Sequence, residues 1–244
     1  MKIACVIPAR YGSTRLPGKP LKDIAGKPMI QRVYEQVSKA THPHVVIVAT
    51  DDQRVFDAVE AFGGTAVMTD PNHLTGTDRL AEVARKHEDI DVIINVQGDE
   101  PLIEPALIDS LAVLFEDDAE LKMATVGAPL LEEEYNEPSA VKVVCNKKGD
   151  AMYFSRSLIP FPRNAFVNKP LKHIGIYAYT RDFLLTYATM EPTPAELTES
   201  LEQLRALENG VHIRVITTDA RFVGVDTPED LIRVNEIFKE RENQ

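Results

Sequence analysis

Short apolar runs rich in β-branched residues alternate along this chain with segments of helical spacing, and few architectures accept that alternation. Residues 45–50 and 92–96 read as strands, whereas 53–62, 77–87 and 105–115 carry apolar side chains at helical intervals. Neither strand run alternates strictly between apolar and polar residues, which predicts burial on both faces. Strands joined through helices predict βαβ units: a Rossmann-like α/β fold with a mostly parallel central sheet and helices on both faces. Ligands of such sheets sit beyond the C-terminal ends of the strands. After Pro129 the texture changes. An acidic Glu132-Glu133-Glu134 run precedes short strand-like stretches at 141–145, 152–154 and 173–179, which predict an added antiparallel segment. The prolines between 160 and 170 predict an irregular loop there, a candidate lid or dimer contact. Helical spacing at 201–208 and 229–240 surrounds a further strand at 211–216. With no repeat, low-complexity tract or linker, 1–244 reads as one domain, large enough to bury roughly 70–75% of its unfolded surface.

The net charge of −11 and the absence of tryptophan exclude a nonspecific nucleic-acid binder, although small nucleotides remain compatible. Cys5 and Cys145 lie in strand-like runs without metal-ligand spacing and are expected as small core residues rather than a disulfide. No run approaches 18 apolar residues, and the first one is too short for a signal peptide. A soluble cytoplasmic protein without membrane insertion is therefore expected.

The apolar run Ile3-Ala4-Cys5-Val6-Ile7 leads directly into Pro8-Ala9-Arg10-Tyr11-Gly12-Ser13-Thr14-Arg15-Leu16-Pro17-Gly18-Lys19-Pro20. Five residues rather than four separate the two glycines, and Pro20 stands where a P-loop has its magnesium-binding hydroxyl, so the Walker mechanism does not transfer. The dinucleotide fingerprint G-x-G-x-x-G is absent as well. What remains is two glycines that allow close backbone approach, hydroxyls on Ser13 and Thr14, and the cations Arg10, Arg15 and Lys19. A solvated basic turn is the plain alternative. Clustered cations repel one another without an anion nearby, however, and these leave a strand end where a ligand is expected, which favours a phosphate cradle.

Asp99 follows the strand at 92–96, at the end that faces such a ligand. Asp226 precedes Thr227-Pro228-Glu229-Asp230, which reads as N-cap, first helical residue and capping box, and leaves Asp226 free to face a ligand. Two aspartates beside a triphosphate imply a bridging Mg2+. Glu100 could substitute for either, or cap the turn before Pro101.

The opening run resembles the first motif of the 3-deoxy-manno-octulosonate (Kdo) cytidylyltransferase family. Further matches follow in order: Gly76-Thr77-Asp78-Arg79-Leu80-Ala81-Glu82, Asn95-Val96-Gln97-Gly98-Asp99-Glu100-Pro101, Tyr153-Phe154-Ser155-Arg156, His173-Ile174-Gly175-Ile176-Tyr177, Leu201-Glu202-Gln203-Leu204-Arg205 and Gly224-Val225-Asp226-Thr227-Pro228-Glu229-Asp230. The resemblance implies a nucleotidyltransferase fold and transfer of a cytidylyl group from CTP to Kdo for lipopolysaccharide synthesis, in a cytoplasmic homodimer with a dimerisation and sugar-side segment around 130–190. It implies catalytic roles for Arg10, Lys19, Asp99 and Asp226, the two aspartates holding the metal. Pro8, Ala9, Arg10, Ser13, Arg15, Lys19, Thr75, Gly76 and Arg79 are implied as nucleotide-binding, with backbone groups reading cytosine. Gln97, Arg163, His173, Tyr177, Glu202 and Gln203 are implied on the sugar side, where Arg or His would meet the carboxylate and the others the hydroxyls. Thr77 could instead cap a helix, and Glu202 and Gln203 could be the polar face of a helix built on Leu201, Leu204 and Leu207. Arg156 suits either the nucleotide phosphate or the sugar. Another sugar acid, such as 8-amino-Kdo or a sialic acid, and a noncatalytic nucleotide-binding module are the alternatives.

Overall fold

The computed structural model describes residues 1–12, 15–167, 169–220 and 222–242. Its strands are β1 (Ile3–Ala9), β2 (Asp23–Ile24), β3 (Lys27–Pro28), β4 (Val45–Thr50), β5 (Ala66–Met68), β6 (Val92–Asn95), β7 (Met123–Pro129), β8 (Lys142–Cys145), β9 (Ala151–Ser155), β10 (Leu171–Thr180) and β11 (Ile213–Thr217). The α-helices are α1 (Met29–Val37), α2 (Gln53–Ala61), α3 (Gly76–Lys86), α4 (Pro105–Asp117), α5 (Arg181–Tyr187), α6 (Pro194–Glu199), α7 (Leu204–Glu208) and α8 (Pro228–Glu242). A nine-stranded sheet runs β11-β7-β10-β6-β1-β4-β5, with β8 and β9 continuing from β10, and β2-β3 form a small separate ribbon. Along the main path β10 alone among the described strands opposes its neighbours, so the expected mostly parallel sheet with an antiparallel addition is what forms.

The period of two explains why β1 reads as one unbroken apolar run. Ile3, Cys5 and Ile7 join the core with α1 and α4, while Ala4 and Val6 join the opposite core with α3 and α5. Cys5 is fully buried and unpaired, and Cys145 is half-buried and unpaired. The chain passes from β1 through β4 to β5 on one side and then returns to place β6 on the other, so the crevice between the C-terminal ends of β1 and β6 is the topological switch point.

Two features differ from the sequence expectations. Strand β7 escapes a composition-based reading because Met-Ala-Thr-Val-Gly-Ala-Pro is poor in β-branched residues, and its pairing with β10 and β11 holds it extended. The helix expected over 201–208 begins only at Leu204, because Glu202 and Gln203 belong to a turn, which removes their reading as the polar face of that helix.

A third, smaller core fixes the basic loop to the C-terminal helix: Leu16, Ile24 and Met29 pack with Val225 and Val234. Burying each such side chain stabilises the fold by about 1.5–3 kcal/mol. Asn235 of α8 ties the β2-β3 ribbon down, accepting from Ala25 N at 2.8 Å and donating to Asp23 O at 3.0 Å. Lys19 and Asp226, distant in sequence, are thereby held on neighbouring rigid segments.

Candidate active site

At the switch point lies an open cleft of about 420 Å³ whose wall includes Pro8, Ala9, Arg10, Arg15 and Lys19 from β1 and its loop, Gln97 and Asp99 from the exit of β6, Gly76, and Asp226. Glycine permits two of its close approaches. A Cβ at Gly98 would stand 2.8 Å from Pro8 O, so only glycine lets the β6 exit lie against β1. Gly18 has a φ of +68°, and a Cβ there would meet the Tyr11 hydroxyl at 3.1 Å. The turn at Gly18 sends Lys19 back into the cleft at the start of the 3₁₀ turn Lys19–Leu21. The amino end of α3 borders the same space through Gly76, which adds the favourable end of a helix dipole for an anion.

Charge in the cleft centres on Lys19. Its Nζ donates to Asp99 Oδ2 at 2.5 Å and to Asp226 Oδ1 at 2.9 Å, and Arg15 Nη2 lies 3.7 Å from the same Asp226 oxygen. Burial opposes the ammonium, but the charges and hydrogen bonds of the two aspartates outweigh it and hold Lys19 above the usual lysine range. Glu100, next along the chain, has a buried Oε2 without a hydrogen-bond partner among the described residues, and burial first, then repulsion by Asp99 and Asp226, pushes its carboxyl up to about 7. The capping box expected at α8 is present: Asp230 N donates to Thr227 Oγ1 at 3.2 Å and Thr227 N to Asp230 Oδ2 at 2.9 Å. The Asp226 carboxylate is thus left to the cleft.

Gln97 joins this cleft to a second group of polar residues. Its Nε2 donates to Gly175 O at 3.1 Å, within the bulge where β10 changes register against β7 between Ile174 and Tyr177. The bulge separates His173 from Tyr177 along the chain, yet their rings lie 5.3 Å apart. A ladder of rings continues through Tyr179 and Tyr187, and the Tyr187 hydroxyl donates to Glu202 O at 2.7 Å. The Glu202 carboxylate is pushed up by burial, while a hydrogen bond with Thr77 in the first turn of α3 pulls it down. Gln203 is 3% exposed, and its Nε2 has no acceptor among the described residues. A buried donor left in this state costs about 1–3 kcal/mol, an energy that a hydroxyl-bearing ligand could recover.

A family model described as cytidylyltransferase matches residues 4–213. The chain is 54% identical to a 3-deoxy-manno-octulosonate cytidylyltransferase of Geobacter metallireducens, with 97% of each protein covered, and 52% identical to one of Fusobacterium nucleatum, with 98% of each covered. The chain belongs to the 3-deoxy-manno-octulosonate cytidylyltransferase family. A solved CMP:2-keto-3-deoxy-manno-octonic acid synthetase complexed with CTP superposes with a TM-score of 0.95 at 51% identity, over 99% of this chain and 100% of that one. A 4-diphosphocytidyl-2C-methyl-D-erythritol synthase from Anaerococcus prevotii shares the fold at a TM-score of 0.66 and 11% identity, over 98% of this chain and 96% of that one.

Several residues expected at the site of this nucleotidyltransferase family are used otherwise in the structure. The Thr75 hydroxyl accepts from Asp78 N at 3.1 Å as the N-cap of α3, so Thr75 serves the helix, and it is Gly76 that borders the cleft. Arg79 has no exposed surface. Its guanidinium donates to Asp51 Oδ2 at 2.7 Å and to Thr69 Oγ1, and does not reach the cleft. Arg163 is exposed on the loop between β9 and β10, and its side chain joins none of the contacts that link Gln97, His173 and Tyr177. Burial lowers the His173 imidazole to about 3, so the ring is neutral near pH 7 and carries no charge for the carboxylate it was expected to meet. Its Nε2 lies 3.0 Å from Thr125 Oγ1, and with Nε2–H donating, the Thr125 hydroxyl donates to Ile176 O at 2.8 Å. Arg156 donates to three carbonyls, Glu199 O at 2.7 Å, Pro138 O at 2.9 Å and Ser200 O at 3.2 Å, and so braces the segment that leads to Glu202. Ser13 lies outside the described residues. Sequence reasoning missed Asp51 and Thr125. Asp51 follows the end of β4 and Thr125 lies within β7, and their partners become visible only when distant segments meet.

Proposed function

We propose that this chain joins CTP and 3-deoxy-D-manno-octulosonate, releasing pyrophosphate and forming CMP-Kdo, the activated sugar for lipopolysaccharide synthesis. The observation that carries this reading is the convergence of Asp99 and Asp226 on Lys19, from 80 and 207 residues away, in a cleft that also presents Arg10 and Arg15. Cations for a polyphosphate and carboxylates for a metal then lie on one wall, as cytidylyl transfer requires. The names of the close relatives supply the sugar.

Magnesium fits the residues present. Two hard carboxylate oxygens already surround one ammonium, which stands in for a cation, and the open cleft beside them leaves room for phosphate oxygens and water. Asp99 and Asp226 would hold it. When bound, it would supply charge neutralisation at the phosphates and a lowered cost of deprotonating the sugar hydroxyl. Lys19, released from the aspartates, would carry its charge to the phosphates with Arg10 and Arg15, which neutralise the oxygens that gain charge as the anomeric oxygen of Kdo attacks the α-phosphorus. Backbone groups of Pro8, Ala9 and Gly76 line the space in which cytosine would be read. Gln97, His173, Tyr177, Glu202 and Gln203 would orient the sugar, so that much of the rate comes from holding the two substrates in line. We further propose a cytoplasmic homodimer. The exposed apolar side chains Phe161 and Val167 on the loop before β10, with Met152 on β9, support a self-association surface there.

The test is pyrophosphate release from CTP with Mg2+ and Kdo, with 8-amino-Kdo and a sialic acid in parallel. Kdo should give the highest kcat/KM. Absence of release with every sugar acid from folded protein refutes cytidylyl transfer, and a higher kcat/KM with another sugar acid refutes the choice of Kdo. Light scattering of the purified protein should give the dimer mass, and a monomer would refute the assembly.

A further inference from the structure

Asp51 lies one residue beyond β4, the parallel neighbour of β1, at the point where the register pairs Ala9 with Thr50. The last residues of the two strands therefore stand side by side, and the first residues past their ends, Arg10 and Asp51, form an ion pair with Arg10 Nε 3.6 Å from Asp51 Oδ2. The same carboxylate oxygen accepts from Arg79 Nη2 at 2.7 Å. Arg79 is fully buried in α3, its other terminal nitrogen is on Thr69 Oγ1, and the Thr69 hydroxyl donates to Thr50 O at 3.0 Å. Asp51 is thus locked from below by a cation that cannot move, and its side chain is 13% exposed. Arg10, by contrast, is 48% exposed and borders the cleft.

The next residue braces the same loop. Asp52 caps α2 through Arg54 N at 3.0 Å and pairs with the Arg54 side chain, whose guanidinium lies 3.5 Å from the centre of the Tyr11 ring. Consecutive aspartates at the end of β4 therefore fix consecutive residues, Arg10 and Tyr11, of the basic loop.

We propose that Asp51 is a positioning residue for nucleotide binding: it fixes the Arg10 guanidinium at the triphosphate side of the cleft, and Arg79 contributes to the site only by holding Asp51. A free arginine side chain loses rotamer entropy on capture, and one already restrained by Asp51 loses less when a phosphate arrives. This inference rests on reading the cleft as the CTP site.

The competing account is that Asp51 merely neutralises buried Arg79. The two accounts predict opposite signs. Removing a negative charge beside a triphosphate should tighten CTP on electrostatic grounds alone, whereas removing a positioning group should weaken it. Asp51→Asn is expected to raise KM for CTP by about 3–10-fold, within the range of coupling between contacting residues, with KM for the sugar acid unchanged. In an Arg10→Ala background, the same substitution should no longer raise KM for CTP. Because Asp51→Asn leaves a buried cation unpaired, Asp51→Asn with Arg79→Met provides a charge-balanced second variant that should show the same rise. An unchanged or lowered KM for CTP in folded protein overturns the inference, as does an equal rise with and without Arg10. Absence of turnover in the unsubstituted enzyme would instead refute the proposed function.

Discussion

If Asp99 and Asp226 hold the divalent cation proposed above, the Lys19 ammonium they now share competes with that cation for one position, and replacing Lys19 with methionine should expose the competition. At an effective dielectric near 20, unit charges 2.5 and 2.9 Å apart attract by about 7 and about 6 kcal/mol before solvent is considered. Asp99 and Asp226 are 30% and 54% exposed, so water recovers most of this, leaving a net hold of about 1–2 kcal/mol. The variant also leaves two carboxylates facing each other with Arg15, 3.7 Å from Asp226 Oδ1, as the nearest remaining counter-charge among the described residues, a repulsion that a metal would relieve. Without nucleotide, Lys19→Met should therefore bind Mn2+ about 5–30-fold more tightly than the parent protein, as read by electron paramagnetic resonance of free Mn2+. Its turnover of CTP should fall nevertheless, because the cation that would move to the phosphates is gone. Lys19→Met combined with Asp99→Asn should lose the gain. If folded Lys19→Met bound Mn2+ no more tightly than the parent, the aspartate pair would not be the metal position and the exchange would be refuted.

Gly98→Ala should cost about 1–3 kcal/mol in denaturant unfolding and depress CTP turnover, because its Cβ would press on Pro8 O at 2.8 Å; unchanged stability and turnover would refute the close approach. The His173 imidazole binds a proton near pH 6.5 when unfolded but only near 3 when folded, so the unfolded state holds more protons between these values. Stability should fall as pH drops through this window, by up to about 1.4 kcal/mol per pH unit from this group, and the acid limb of His173→Gln should be shallower by that amount. Parallel acid limbs would show that the ring is not desolvated. Arg156→Met frees the Glu199 and Ser200 carbonyls just before Glu202, and Pro138 O besides, and should raise KM for the sugar acid by about 5–30-fold while KM for CTP moves less; equal effects on both would argue against a brace on the sugar side.

Local chemistry made much of this molecule legible. The β4 bounds, the α8 capping box and the apolar β1 follow from side-chain period, helix-end hydrogen bonding and β-branching, which act over a few residues. The cationic loop stood out because three like charges at a strand end need counter-charge, which Asp51, Asp99 and Asp226 supply in the structure. Strand β7 and the turn at 202–203 did not, because neighbouring strands and the Arg156 brace hold them against weak local preference.

Among the candidate site residues, the sequence by itself determined which chemistry each could offer: the cations Arg10, Arg15 and Lys19 suit phosphates and the carboxylates Asp99 and Asp226 suit a cation, whereas the sugar-side set followed only from the family resemblance. Tertiary structure decided how each is used. It placed Lys19 between the aspartates, withdrew Arg79 beneath Asp51, kept His173 neutral and left Arg163 outside the linked group. The physical reason is that side-chain identity fixes the charge and hydrogen bonds a residue can offer, whereas burial and contacts between distant strands fix whether that charge is solvated, paired or aimed at the cleft.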